Sequence, residues 1–247
     1  MTKKKIIGVS GILVVMILFI AGITYAISPE QQAKAFADKS FSTGIADYVL
    51  TSCDYTTEEN VPNTYLGAPI LNYTIPIDEF DDSISIKENI HAMPMYVFPV
   101  MLNDTVVTDF SVMLCKGEWQ VIDIGGNQSK YVYDMAKKNH ISEDEIALLR
   151  FGGQTFLLSL DESCDIVCSP YVSNDTIGLE KEKIVSSDTL KKHFKERQQE
   201  YLNFRKDEKN KDIIGGHKFG AYGPIDFSQK ESMLVRIINF GSYCIKT

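Results

Sequence analysis

The local signatures of catalysis are missing from this 247-residue chain. There is no H-E-x-x-H, no Walker loop and, outside the apolar N-terminal segment, no G-x-S-x-G. Their absence excludes the sequence-local forms of zinc proteolysis, P-loop nucleotide hydrolysis and α/β-hydrolase chemistry. Histidine is scarce: His91, His140, His193 and His217 are the whole set. A Cys–His enzyme would therefore have to assemble its pair from distant residues. No histidine or second cysteine pair lies near Cys164 and Cys168, so a four-ligand zinc site has no local basis. The acidic run Asp78–Asp82 lacks the D-x-D-x-D-G spacing of a calcium loop and reads as a solvated turn. The glycine-rich stretch "GGHKFGAYG" (215–223) lacks G-x-G-x-x-G spacing and a strand–helix context. Basic charge is short as well. The net charge is −8, and residues 30–180 hold 24 acidic against 8 basic residues. That surface repels nucleic acid. No cofactor, metal ligand or catalytic residue is assigned from the sequence.

What is present begins at the N-terminus. Lys3, Lys4 and Lys5 precede a block, Ile6 to Pro29, that contains no charged residue. A helix over Ile6–Ala26 would be about 31 Å long, enough to cross a bilayer's hydrocarbon core. The lysines orient that end to the cytoplasm, so residues 30–247 are expected outside it. Two readings stay open. The segment is a retained single-pass anchor, or it is a signal peptide cleaved near Ala26, where Thr24-Tyr25-Ala26 offers small residues at the positions a peptidase reads. The membrane, through residues 6–26, is thus the first expected partner.

Export gives the five cysteines a context, because thiols outside the cytoplasm tend to pair. An odd number leaves at least one unpaired or bridging chains. Were residues 164–168 extended, Cys164 and Cys168 would lie roughly 13 Å apart on one side, too far for a bridge. They close a small loop, or each pairs among Cys53, Cys115 and Cys244; disulfides are expected. Four N-x-S/T sequons occur, at Asn72, Asn103, Asn127 and Asn174.

The spacing predicts a helix over 28–50, started by Ser28 and Pro29 and interrupted by Gly44. Residues 53–64 read as loop and "YLGAPILNYTI" (65–75) as extended. The runs 95–102, 106–115 and 119–124, separated by turn residues, read as an antiparallel meander. Pro99 predicts an edge position for the first of them. Asp109 and Ser111 fall on the face opposite Phe110 and Val112. Tyr96, Phe98, Phe110 and Trp119 read as core. Asn127 is expected to cap a short helix ending at Lys137 and Lys138. Ser142 and Glu145 form a capping box, which predicts a helix to Gly152; a strand over 145–151, hairpinned to 154–160, is the competing reading. Residues 171–186 read as a linker. A thinly amphipathic helix follows from Ser186, with His193 exposed, and one or two strands close the chain.

The pattern "YLGAPILNYTI…MYVFPVMLNDTVVTDFSVMLCKGEWQVIDIG", over residues 65–126, resembles the small α+β modules of exported Gram-positive proteins, PepSY-like or protease-propeptide-like. The resemblance rests on strand order and implies a non-catalytic module that binds a peptide or an enzyme partner. The expected fold class is therefore α+β: an antiparallel meander sheet with helices packed on one face, behind an N-terminal transmembrane or signal helix. Residues 1–29 form the anchor or signal, 30–180 an acidic domain, and 181–247 a basic helix and strands packed on the same domain. The expected function is a non-enzymatic, membrane-anchored or secreted extracytoplasmic domain that binds a peptide, protein or cell-envelope component. The alternatives are an exported hydrolase or thiol enzyme, and a membrane-tethered spacer.

Overall fold

The structure, a computed structural model, describes residues 28–169 and 171–206. The expected span Ile6–Ala26, His217, Cys244 and the expected C-terminal strands lie outside the described residues. Among the described residues, no helix is long and apolar enough to cross a membrane.

Helix α1 (Pro29–Phe41) begins where the sequence signals it. Ser28 Oγ accepts from Gln31 N–H at 3.2 Å, and Gln31 Oε1 accepts from Ser28 N–H at 3.1 Å. Two otherwise orphaned donors are satisfied reciprocally. Gly44, at φ +79°, turns the chain into α2 (Ile45–Ser52). Eight strands follow in a single mixed sheet: β1 (Tyr65–Leu66), β2 (Ile70–Thr74), β3 (His91–Leu102), β4 (Thr105–Cys115), β5 (Glu118–Ile124), β6 (Ile146–Phe151), β7 (Gln154–Ser159) and β8 (Ile166–Cys168). Their order is β5-β4-β3-β2-β6-β7-β8, with β1 also paired to β3. Helix α3 (Gln128–Lys138) joins the two halves, and α4 (Ser187–Lys206) follows the last strand.

Three hairpins carry the local logic. Asn103-Asp104, Lys116-Gly117 and Gly152-Gly153 each place two consecutive residues at positive φ. Two such residues match the right-handed twist of the flanking strands, so these short connections close tight antiparallel pairs. β3, β4 and β5 form the meander read from sequence.

The sheet as a whole is not an antiparallel meander. β2 and β6 are parallel, with Leu71 opposite Ala147 and Thr74 opposite Arg150. The crossover β3-β4-β5-α3 is long enough to bring the chain back in the same direction, which a hairpin cannot do. β3 is central, not an edge. Pro99 is tolerated there because its missing N–H faces the gap between β1 and β2. Gly67 N–H donates to the Pro99 carbonyl at 2.8 Å across that gap, and a Cβ on Gly67 would stand 2.8 Å from the proline ring. The expected helix after Ser142 is one 3-10 turn, Glu143–Glu145, and then β6. Ser142 makes no side-chain capping bond. All six residues of "IALLRF" are buried between the two faces of the sheet, which overrides the local cap.

Helices cover both faces, not one. On one face, α1 and α2 pack Ala33, Ala37 and Leu50 against Phe98, Phe110 and Val112. Beside them, α4 buries Leu190 and Phe194 against β6, β7 and β8. Phe194 stacks on Phe151 at 4.0 Å between centroids and meets Phe80 and Phe156 edge-on. On the opposite face, α3 lays Val132, Met135 and Ala136 over Val97, Leu148 and Leu157. The basic helix α4 rests on acidic and carbonyl groups. Lys195 pairs with Asp82, Arg197 donates to the Gly152 carbonyl and Gln198 to the Phe80 carbonyl.

Candidate functional site

β4 supplies the residue from which the site is built. Its alternation sends Phe110 and Val112 into the α1–α2 layer and Asp109 to the α3 face. Asp109 is 1% exposed, and its carboxylate accepts from the backbone N–H groups of Gln128, at 2.5 Å, and Ser129, at 3.2 Å. A side chain from across the sheet thus caps α3. Asn127 makes no capping bond; its amide donates to the Tyr131 hydroxyl instead. Arg150, buried in β6, donates through Nε to Asn72 Oδ1 at 2.8 Å and through Nη2 to Gln128 Oε1 at 2.7 Å. Strands β2, β4 and β6 therefore all hold the first turn of α3.

The electrostatics follow from this burial. Desolvation pushes the Asp109 carboxyl above its ordinary range; the Ser129 and Gln128 hydrogen bonds and the Arg150 charge oppose that push. Asp123, across the β4–β5 ladder, is pushed up to about 6 by desolvation and then by the Asp109 carboxylate. Asp123 is nonetheless exposed at its surface, so water screens much of that effect. Ser129 Oγ is buried among these groups without a hydrogen-bond partner.

The same contacts shape a slot. β5 ends opposite Phe110, and the chain leaves the sheet through Gly125 and Gly126, at φ +146° and +85°. Gly125 N–H donates to the Asp109 carbonyl at 2.9 Å, Gly126 N–H to the Tyr55 hydroxyl at 3.4 Å, and the Thr108 hydroxyl to the Gly126 carbonyl at 3.1 Å. The turn is held from three directions. The β3–β4 register shifts at Val107, which packs on the same side as Phe110 and Val112. Beyond the turn, among the described residues, the first residues of β4 have a strand partner only in β3, and the side away from β3 carries none. A cleft of about 360 Å³ occupies that place. Its floor is Val106–Thr108, Tyr55 and Lys130 flank it, and Gly126 and Asn127 close one end.

The other residues singled out by sequence lie elsewhere. His91 and His140 are exposed. His193 is buried, not exposed: its Nε2 lies 2.6 Å from Gln154 Oε1, and desolvation lowers its pKa. Phe98 and Phe110 are core, and Tyr96 packs on Trp119. Cys53, Cys115, Cys164 and Cys168 are free thiols in this structure. Cys168 Sγ donates to the Val172 carbonyl, and burial pushes its thiol up to about 12. No group of three or more His, Cys, Asp or Glu residues among the described ones is arranged to hold a metal ion. The sequon residue Asn72 is 1% exposed, which leaves no room for a glycan there. Sequence reading missed Arg150, Tyr55 and Lys130. Arg150 carried a signal, as the one charge inside an apolar run; the other two carried none.

No protein-family model, curated protein or solved structure matches the chain.

Proposed function

We propose that this chain is a non-enzymatic extracytoplasmic domain, membrane-anchored or secreted, that binds a peptide or extended protein segment at the β5 side of its sheet. The observation that carries the reading is the contrast between the two sheet edges. The outer side of β8 is taken by the chain itself. Cys168 N–H donates to the Lys183 carbonyl, Glu182 N–H to the Cys168 carbonyl and Val185 N–H to the Ile166 carbonyl, at 2.8–3.0 Å. The outer side of β5 has no such cover among the described residues. An open edge presents unpaired backbone donors and acceptors, and an extended segment satisfies them by adding a strand. The uncharged, lysine-led N-terminus supports export, and protease added to intact cells should then digest residues 30–247.

The edge can be tested at Val121. In the β4–β5 register Val121 stands opposite Val112, whose backbone groups turn to β3, so the Val121 N–H turns outwards. Val121→Pro removes that donor and leaves the β4 ladder intact. Labelled, randomised extended heptapeptides should bind the detergent-solubilised full chain and lose at least tenfold in affinity to the variant at unchanged circular dichroism. A pool that does not bind, or binds both proteins alike, would sink the reading.

A further inference from the structure

We infer that the end of the sheet at which α1 begins is the face this domain presents to a lipid bilayer, so that β5 stands along the membrane normal with Glu118 near the headgroups and Ile124 away from them; this rests on the membrane-anchored form of the proposed function and not on the peptide.

Connectivity selects the bilayer as the partner. The uncharged block Ile6–Ala26 is long enough to cross one. Ile27 alone separates that block from Ser28, the cap of α1. From Ala26 to Ser28 the chain reaches at most about 7 Å. That is about the thickness of the headgroup layer on one side of a bilayer. The start of α1 therefore stays at the headgroups.

Strand pairing then says what else lies at that end. Phe41, the last residue of α1, meets Phe110 edge-on at 5.5 Å, midway along β4. Near the start of α1, burial and then the Glu30 charge hold the Tyr96 hydroxyl above its ordinary pKa, and Tyr96 stands opposite Val112. The helix thus begins toward the Cys115 end of β4. Cys115 pairs with Glu118, Thr74 with both His91 and Arg150, and Phe151 with Gln154. The last residues of β2, β4 and β6 and the first of β3, β5 and β7 gather there. Thr105 lies at the opposite end of β4, about 33 Å away at 3.3 Å per residue.

Charge sets the posture. The joint at Ile27 leaves a choice between standing on this end and lying on a broad face. Residues 30–180 hold 24 acidic against 8 basic residues. Anionic headgroups repel that surface within a Debye length, about 8 Å at physiological ionic strength. Lying flat brings much of the surface inside that range, whereas standing brings only the turns at one end. Those turns carry exposed acids as well, Asp78, Glu79, Asp81 and Glu88 between β2 and β3. The end therefore rests against the headgroups without inserting, and a strand added to β5 runs along the membrane normal.

The test uses the full chain in vesicles of phosphatidylcholine and phosphatidylglycerol in equal parts, with nitroxide on a fraction of the headgroups. Azidophenylalanine replaces Glu118 or Thr105, both exposed, and carries a fluorophore. Quenching should be at least threefold greater at 118 than at 105, at unchanged circular dichroism. Lys87 and Glu162, exposed and at opposite ends of the sheet, give a second pair with the same expected order. Equal quenching within both pairs, or the reverse order, overturns the inference and leaves strand addition at β5 standing. No quenching at any position, with the mass of the whole chain intact, overturns it too, because the domain is then held off the bilayer. A membrane-free chain that begins near residue 27 overturns it together with the anchored reading.

Discussion

Asp109 should hold α3 through its acceptor oxygens rather than through its charge. The site disfavours the ionised carboxyl overall, since desolvation outweighs the hydrogen bonds and the Arg150 charge. The bonds at 2.5 and 3.2 Å still satisfy two helix donors that have no other partner. Asp109→Ala removes both acceptors and leaves Gln128 N–H and Ser129 N–H orphaned beneath the sheet. Two buried donors left unsatisfied, at about 1.5 kcal/mol each, make that loss about 3 kcal/mol. Asp109→Asn retains the shape and one acceptor oxygen while removing a poorly solvated charge, so its loss should be that of one hydrogen bond, about 1 kcal/mol. Urea unfolding of the full chain measures both as midpoint shifts at constant slope. Hydrogen exchange at the Gln128 and Ser129 amides supplies the local readout and should accelerate most in the alanine variant. An asparagine variant as unstable as the alanine variant would show that charge is the source. An alanine variant within about 1 kcal/mol of the parent would show that the cap is dispensable, and the slot would then have no rigid wall.

Two further outcomes follow from ionisable side chains. A carboxyl raised in the folded state stabilises below its unfolded pKa and loses that contribution as pH rises through the folded value; for Asp123 this window runs from the ordinary 3.8 to about 6. Screening from its open side limits the effect to about 1 kcal/mol, so Asp123→Asn should raise Tm at pH 7.5 and match the parent at pH 4, and the reverse order would refute the assignment. Cys168, with its thiol pushed up to about 12, should react with iodoacetamide at pH 8 at least tenfold more slowly in the native protein than Cys164 does. Mass spectrometry resolves the two, and equal rates would show that the β8 layer opens readily.

Sequence alone was enough wherever the determinant is local. Ser28, Pro29 and Gly44 mark α1 and its end because a capping box and a left-handed turn each involve only a few neighbouring residues. The β3–β5 meander was legible because Asn103-Asp104 and Lys116-Gly117 close hairpins and the strands between them alternate. The opposed faces of Asp109 and Phe110 came from the same period of two. Tertiary structure decided what depends on distant partners. The Ser142–Glu145 cap gave way to β6 because burial on both faces of a central strand outweighs a single helix cap. Pro99 sits inside the sheet because the strand beside it breaks at Gly67, a fact recorded only in the pairing. The slot itself could not be read ahead. Tyr55, Val107, Gly126 and Lys130 are brought together by the point where β5 stops short of the β4 end, and a mismatch in strand length exists only once two strands are paired.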